Sequence, residues 1–188
     1  ETVRDQALAA AGLLTDRIGG PSVMPYQPED LWKDIATDSN YEQDHGADLY
    51  RRSMYTYWKR TVVPPAMSAF DGADRESCRV LPRRTNTPLQ ALTLMNDVTF
   101  VEAARVIAQR ALESSPDSTE RINNIFQGIL ARQPNSNESA ILSQGLAKHL
   151  KQFESTPSPP ANWQPSANTH SHNLSTKSSW PPILPSPA

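Results

Sequence analysis

Many polar side chains of the kinds that bind or transfer charge fall between positions 71 and 97, and ten of them make up the best candidate for a site. They are Asp71, Asp74, Arg75, Glu76, Arg83, Arg84, Asn86, Gln90, Asn96 and Asp97. Adjacent arginines such as Arg83 and Arg84 can grip a carboxylate, sulfate or phosphate through paired N–H donors. The helix that Pro88 opens would add free N–H groups and the positive end of its dipole. On this reading Asp71, Arg75, Glu76, Arg83, Arg84, Asn86, Asn96 and Asp97 form a candidate binding site, with no catalytic residue assigned. The same residues also suit an arginine–carboxylate network that fastens a long loop onto the helices, with Asn86 and Thr87 acting as caps. Asp71, Asp74 and Glu76 offer clustered oxygens to a calcium ion. Their spacing is not that of an EF-hand and the neighbouring arginines oppose it, so no metal site is expected.

Other reactive types are sparser. Tyr55, Tyr57, Trp58 and Lys59 could form a sugar-stacking platform, although aromatics at helical spacing more commonly fill a core. Cys78 is the single cysteine, which rules out an internal disulfide and a Cys-x-x-Cys-His haem attachment site. With only His45 near it in sequence, it reads as a lone buried thiol rather than a nucleophile. His170 and His172 lie in a tail of very different composition. No cofactor is expected on this chain. Paired carboxylates for hydrolysis cannot be recognised without their separation.

The charge is uneven. Residues 49–84 carry eight basic and three acidic side chains, a local +5, within a chain of net charge −2. The overall balance gives no sign of nucleic-acid binding, while the cationic stretch points to an anionic partner inside or outside the fold. No apolar run is long enough to span a bilayer. The chain opens at Glu1 without a methionine and reads as a piece of a larger protein.

These residues must be positioned by helices. Residues 3–14 place Val3, Ala7, Leu8, Ala11 and Leu14 at helical spacing, and Gly19-Gly20-Pro21 stops the run. Pro28 opens a short helix carrying Leu31, Trp32 and Ile35. Residues 49–63 fit one helix face through Tyr50, Met54, Tyr57, Trp58 and Val62, ended by Pro64-Pro65, although their Tyr, Thr and Trp content suits a strand. Residues 70–84 have no clear period and read as an ordered loop. Thr87-Pro88-Leu89-Gln90 is a capping box, Asn96-Asp97 breaks that helix and caps the next, and Asp117 and Asn135 each precede a further capped helix. The fold class is therefore mainly α, an irregular multi-helix domain over residues 1–154 with a long ordered polar loop. Residues 155–188 are rich in Ser, Pro, Asn and Thr and read as a disordered tail.

Several strings together resemble one family. They are Gly19-Gly20-Pro21-Ser22-Val23 with Pro25-Tyr26-Gln27-Pro28, and Leu49-Tyr50-Arg51-Arg52-Ser53-Met54-Tyr55-Thr56-Tyr57-Trp58-Lys59-Arg60-Thr61. Phe70-Asp71, Asp74-Arg75-Glu76, Arg84-Thr85-Asn86-Thr87-Pro88-Leu89-Gln90-Ala91-Leu92, Asn96-Asp97 and Phe100-Val101-Glu102-Ala103-Ala104-Arg105 follow in order. The chain resembles the planctomycete-type domain of unknown function 1553 over roughly residues 1–154. That resemblance implies the C-terminal part of a large exported protein, periplasmic or extracellular, with a companion domain upstream and sometimes a cytochrome c-type or lectin-like one. It implies no catalytic residues. It fails after Phe153, where the family continues with another helix. An out-of-frame reading of the codons for residues 180–187 can spell the Ala-Ala-Tyr-Thr pattern that such a helix contains, so a frameshift is one explanation of the tail. The expected function is a non-catalytic binding or interaction module, with the upstream domains of its own polypeptide or an anionic glycan as partner. The alternative is part of a polysaccharide-acting hydrolase completed by those upstream domains.

Overall fold

The computed structural model describes residues 1–28, 31–32, 41–59, 61–73, 78, 80–81 and 85–155. It is mainly helical, and among the described residues there is no strand beyond isolated bridges. The chain divides into two units, residues 1–149 and 150–188; of the second, only the end of one helix is described.

The first helix, α1 (Thr2–Ala11), is shorter than its apolar spacing predicts. Gly12 ends it, seven residues before the Gly19-Gly20 pair, by adopting φ 73° and donating its N–H to Ala9 at 2.9 Å. Glycine takes this left-handed conformation without the Cβ penalty other residues meet. A Cβ here would also lie 2.5 Å from the Arg110 guanidinium.

The largest correction concerns residues 49–63, which do not form one helix. Two 3₁₀ turns, Gly46–Tyr50 and Ser53–Tyr55, alternate with extended residues. Arg51 bridges Thr15, and Thr56 bridges Val23, both in parallel sense. The Thr15 N–H reaches Tyr50 O at 2.9 Å, Val23 N–H reaches Tyr55 O at 2.8 Å, and Tyr57 N–H reaches Val23 O at 2.7 Å. A segment rich in Tyr, Thr and Trp prefers extended backbone, and pairing with residues 15–23 supplies hydrogen bonds that a helix would have made internally. Met54, assigned to the apolar face, is accordingly exposed, while Leu49, Ser53 and Thr56 are buried.

The proline pair Pro64-Pro65 begins a helix as well as ending the preceding segment. Helix α2 (Pro65–Ala69) has Pro65 in its first turn, where a missing N–H costs nothing. It closes in a Schellman motif: Asp71 at φ 56° donates to Ser68 O at 3.1 Å, and Gly72 donates to Met67 O at 2.8 Å. Leu31 and Trp32 are helical as expected; Ile35 lies outside the described residues.

The remaining helices begin where their capping signals place them. They are α3 (Pro88–Asn96), α4 (Val98–Ser114), α5 (Ser118–Leu130) and α6 (Ser136–Ser155). Thr87 and Gln90 close a reciprocal capping box, Asp97 accepts from Thr99 N–H at 2.9 Å, and Asp117 accepts from Glu120 N–H at 2.9 Å. Asn135 and Glu138 cap each other's N–H groups at 2.9 and 2.8 Å. Glu138 is also gripped by both Arg132 Nη atoms at 2.9 and 2.7 Å. The Arg132 bonds, followed by the Asn135 N–H, bring its carboxyl down to about 2.

The core lies where α1, α4 and α5 meet. Ala11, Ala103 and Ile107 are buried there, with Ala7, Ala10, Val106 and Ile125 packed around them. Alanines on both α1 and α4 let the two helices approach closely. A second cluster, Leu8, Leu49 and Tyr50 with Leu13, Leu14 and Tyr26, joins α1 to the first 3₁₀ turn.

Helix α5 ends at Ala131, held at φ 55°. An L-residue pays roughly 1–2 kcal/mol to sit in the left-handed region. Ala131→Gly is expected to raise stability by about 0.5–1 kcal/mol, read as a higher denaturant midpoint at unchanged slope. A neutral or lower midpoint would contradict this.

Candidate functional site

Four of the eight candidate residues, Arg75, Glu76, Arg83 and Arg84, lie outside the described residues. The other four fall into two groups at opposite ends of α3, a nine-residue helix about 13 Å long. Asp71 stands before its amino end. Its Oδ2 accepts from Thr85 N–H at 2.8 Å and from Thr85 Oγ1 at 2.7 Å. Gln90 Nε2 donates to the same threonine oxygen at 3.1 Å, while Gln90 Oε1 accepts from Thr87 N–H. The Schellman turn places Asp71, Asp71 catches Thr85, and Gln90 ties Thr85 to the helix cap. This clasp joins the two ends of the intervening loop. Asn86 is exposed beside it.

Asn96 and Asp97 serve the other end. Asn96 Nδ2 donates to Leu92 O within its own helix at 2.9 Å, and Asp97 caps α4. Asp71, Asn96 and Asp97 are thus engaged in bonds to main-chain groups, and the structure does not bring Asp71 together with Asn96 and Asp97. If the clasp holds the loop, Thr85→Val should lower stability by about 1–2 kcal/mol, because it removes two of the clasp's hydrogen bonds. An unchanged unfolding midpoint would mean that the loop is anchored elsewhere.

A second polar constellation is buried, and sequence reading missed it. Arg4 is 7% exposed and Arg51 is 0% exposed. Arg4 projects from α1 into the backbone of residues 49–53. Nη2 donates to Leu49 O at 2.8 Å, and Nη1 donates to Arg51 O at 2.9 Å and Ser53 Oγ at 3.3 Å. Asp5 completes the group. Its Oδ1 accepts from Ser53 N–H at 2.8 Å and Ser53 Oγ at 2.6 Å, and lies 3.8 Å from Arg4 Nη1. Burial pulls the Arg4 guanidinium below the ordinary arginine value, while Asp5 and Asp97 act in the opposite direction. Arg4 sits four and seven residues before the buried Leu8 and Ala11, so helical spacing does place it on the apolar face.

Among the described residues no carboxylate pairs with the Arg51 guanidinium. It donates to three carbonyls of one loop, those of Pro21 at 2.9 Å, Arg17 at 3.2 Å and Gly19. Its Cζ lies 3.9 Å from the centre of the Tyr55 ring, and Tyr55 Oη accepts from Gly19 N–H at 2.8 Å. Its Nε is buried without a partner among the described residues. Arg51 is therefore a staple that gathers the Gly19-Gly20 loop, with its Nη donors already directed to the protein's own backbone.

The third cluster is Tyr50 with Glu102 of α4. Tyr50 Oη donates to Glu102 Oε1 at 2.9 Å. Burial first, then the Glu102 charge and hydrogen bond, push the phenol well above its usual range. It stays protonated at neutral pH and is a donor rather than a base.

The aromatic group divides. Tyr55 covers Arg51, whereas Tyr57 stacks at 6.0 Å on Trp32, which Lys59 Nζ also faces at 5.2 Å. Trp32 is buried and Tyr57 is partly exposed. Cys78, expected to be buried, is exposed. Among the described residues no three His, Cys, Asp or Glu side chains come together as a metal site, and no helix is long and apolar enough to cross a membrane. His170 and His172 lie outside the described residues.

The family described as protein of unknown function (DUF1553), PSD1, matches residues 1–146. No curated protein and no solved structure matches the chain.

Proposed function

From the premise that the chain belongs to the DUF1553 family, we propose that it is a non-catalytic interaction module of a larger exported protein, docking onto the polypeptide upstream of it. The observation that supports this reading is the state of α3, which buries none of its residues. Leu89, Leu92 and Met95 recur every three positions and keep 58%, 58% and 74% of their surface exposed. Val98 and Val101 continue the exposed apolar surface onto α4. Yet α3 is fixed at one end by its capping box and the Asp71 clasp, and at the other by its junction with α4. Apolar side chains gathered on a rigid element mark a contact surface. The cationic stretch between residues 49 and 84 favours an acidic surface on the upstream polypeptide. An anionic glycan is the other partner that this charge would suit. The hydrolase reading draws no such support: Asp5, Asp71, Asp97, Glu120 and Glu138 each fasten one part of the chain to another.

The test is calorimetric titration of the separately expressed upstream polypeptide into this chain, compared with a Leu92→Glu/Met95→Glu variant. Binding is expected, weakened at least about tenfold in the variant with an unchanged unfolding midpoint. No binding, or binding indifferent to α3, overturns the reading. A rise in midpoint with sulfated or carboxylated glycans would instead assign the partner to that class. The same reading places the parent protein in the periplasm or outside the cell and gives this chain no cofactor. Cell fractionation addresses the first point, and a haem absorbance band on the purified chain would refute the second.

A further inference from the structure

We draw no further inference here: the strongest candidate, the apolar stripe of Leu142, Leu146, Leu150 and Phe153 along α6, which buries none of its residues, carries nothing because nothing in the structure shows what covers it.

Discussion

Replacing Arg51 by methionine is expected to cost about 2–4 kcal/mol of stability, although the substitution keeps much of the side-chain length and adds no charge. The loss comes from the partners left behind. The carbonyls of Arg17, Gly19 and Pro21 all receive a hydrogen bond from one guanidinium, and a thioether offers them no donor. These acceptors belong to exposed loop residues and the bonds are only partly buried, so each loss falls at the low end of the roughly 1–3 kcal/mol range. The Tyr55 face loses its cation as well. Lysine should not rescue the position, because its compact ammonium cannot span three carbonyls and lie flat on a ring. A domain of this size would lose roughly 10 °C of unfolding midpoint. Urea unfolding of Arg51→Met and Arg51→Lys checks the point. A loss below about 1 kcal/mol in either would show that water or loop movement satisfies the carbonyls, and that Arg51 is not the staple.

That staple explains how a structure with no described strand positions a long irregular segment. Residues 13–28 and 41–59 have few helical hydrogen bonds of their own. They are held by two isolated bridges, by Arg51, and by Arg4 entering from α1. Each device reaches across thirty or more residues of sequence. The two buried guanidinium groups do what a hydrophobic cluster could not: they bind main-chain carbonyls, those of the buried Leu49 and Arg51 in the case of Arg4. The apolar core nearby joins alanines of α1 and α4 to Ile107 and contributes close packing rather than coverage of these carbonyls.

The same contrast decides what could be read from the sequence. Helices α3 to α6 were legible because their signals are local. A Thr87–Gln90 or Asn135–Glu138 box fixes a helix start within four residues, whatever the rest of the chain does. Residues 49–63 were not legible because their conformation depends on residues 15–23, and periodicity within the segment carries no trace of that pairing. Two local signals do bear on the first helix. Gly12 directly follows the apolar run of α1, and Arg4 shares the face of Leu8 and Ala11. In the candidate site, the Asp71 end of the loop is tied to Thr85 and through it to Gln90. Its partner Thr85 was invisible because a threonine acceptor–donor pair at a distance of fourteen residues has no sequence signature. The uncovered apolar side of α3 was hidden for the opposite reason, since composition cannot distinguish a leucine facing the core from one facing solvent.

Arg4 and Asp5 should behave as a coupled pair, and this carries the second large effect. Arg4→Met is expected to cost about 3 kcal/mol, because the carbonyls of Leu49 and Arg51 lose their donor in a buried setting. Asp5→Ala should cost about 2–3 kcal/mol, leaving the Ser53 N–H and hydroxyl without their shared acceptor and Arg4 without its nearest anion. The two losses should not add. Once Asp5 is removed, part of the benefit of keeping Arg4 charged and buried has gone, so the double variant should fall short of the sum by about 1 kcal/mol. Both side chains meet at Ser53, which gives the coupling a physical route. Equilibrium unfolding of the two single variants and the double variant measures it. Strict additivity would mean that Arg4 acts only on backbone carbonyls and Asp5 only on Ser53, two separate fasteners between α1 and the segment that follows the first 3₁₀ turn. A shortfall would identify one buried network, and would explain how a cation with little access to water is tolerated beside a single carboxylate.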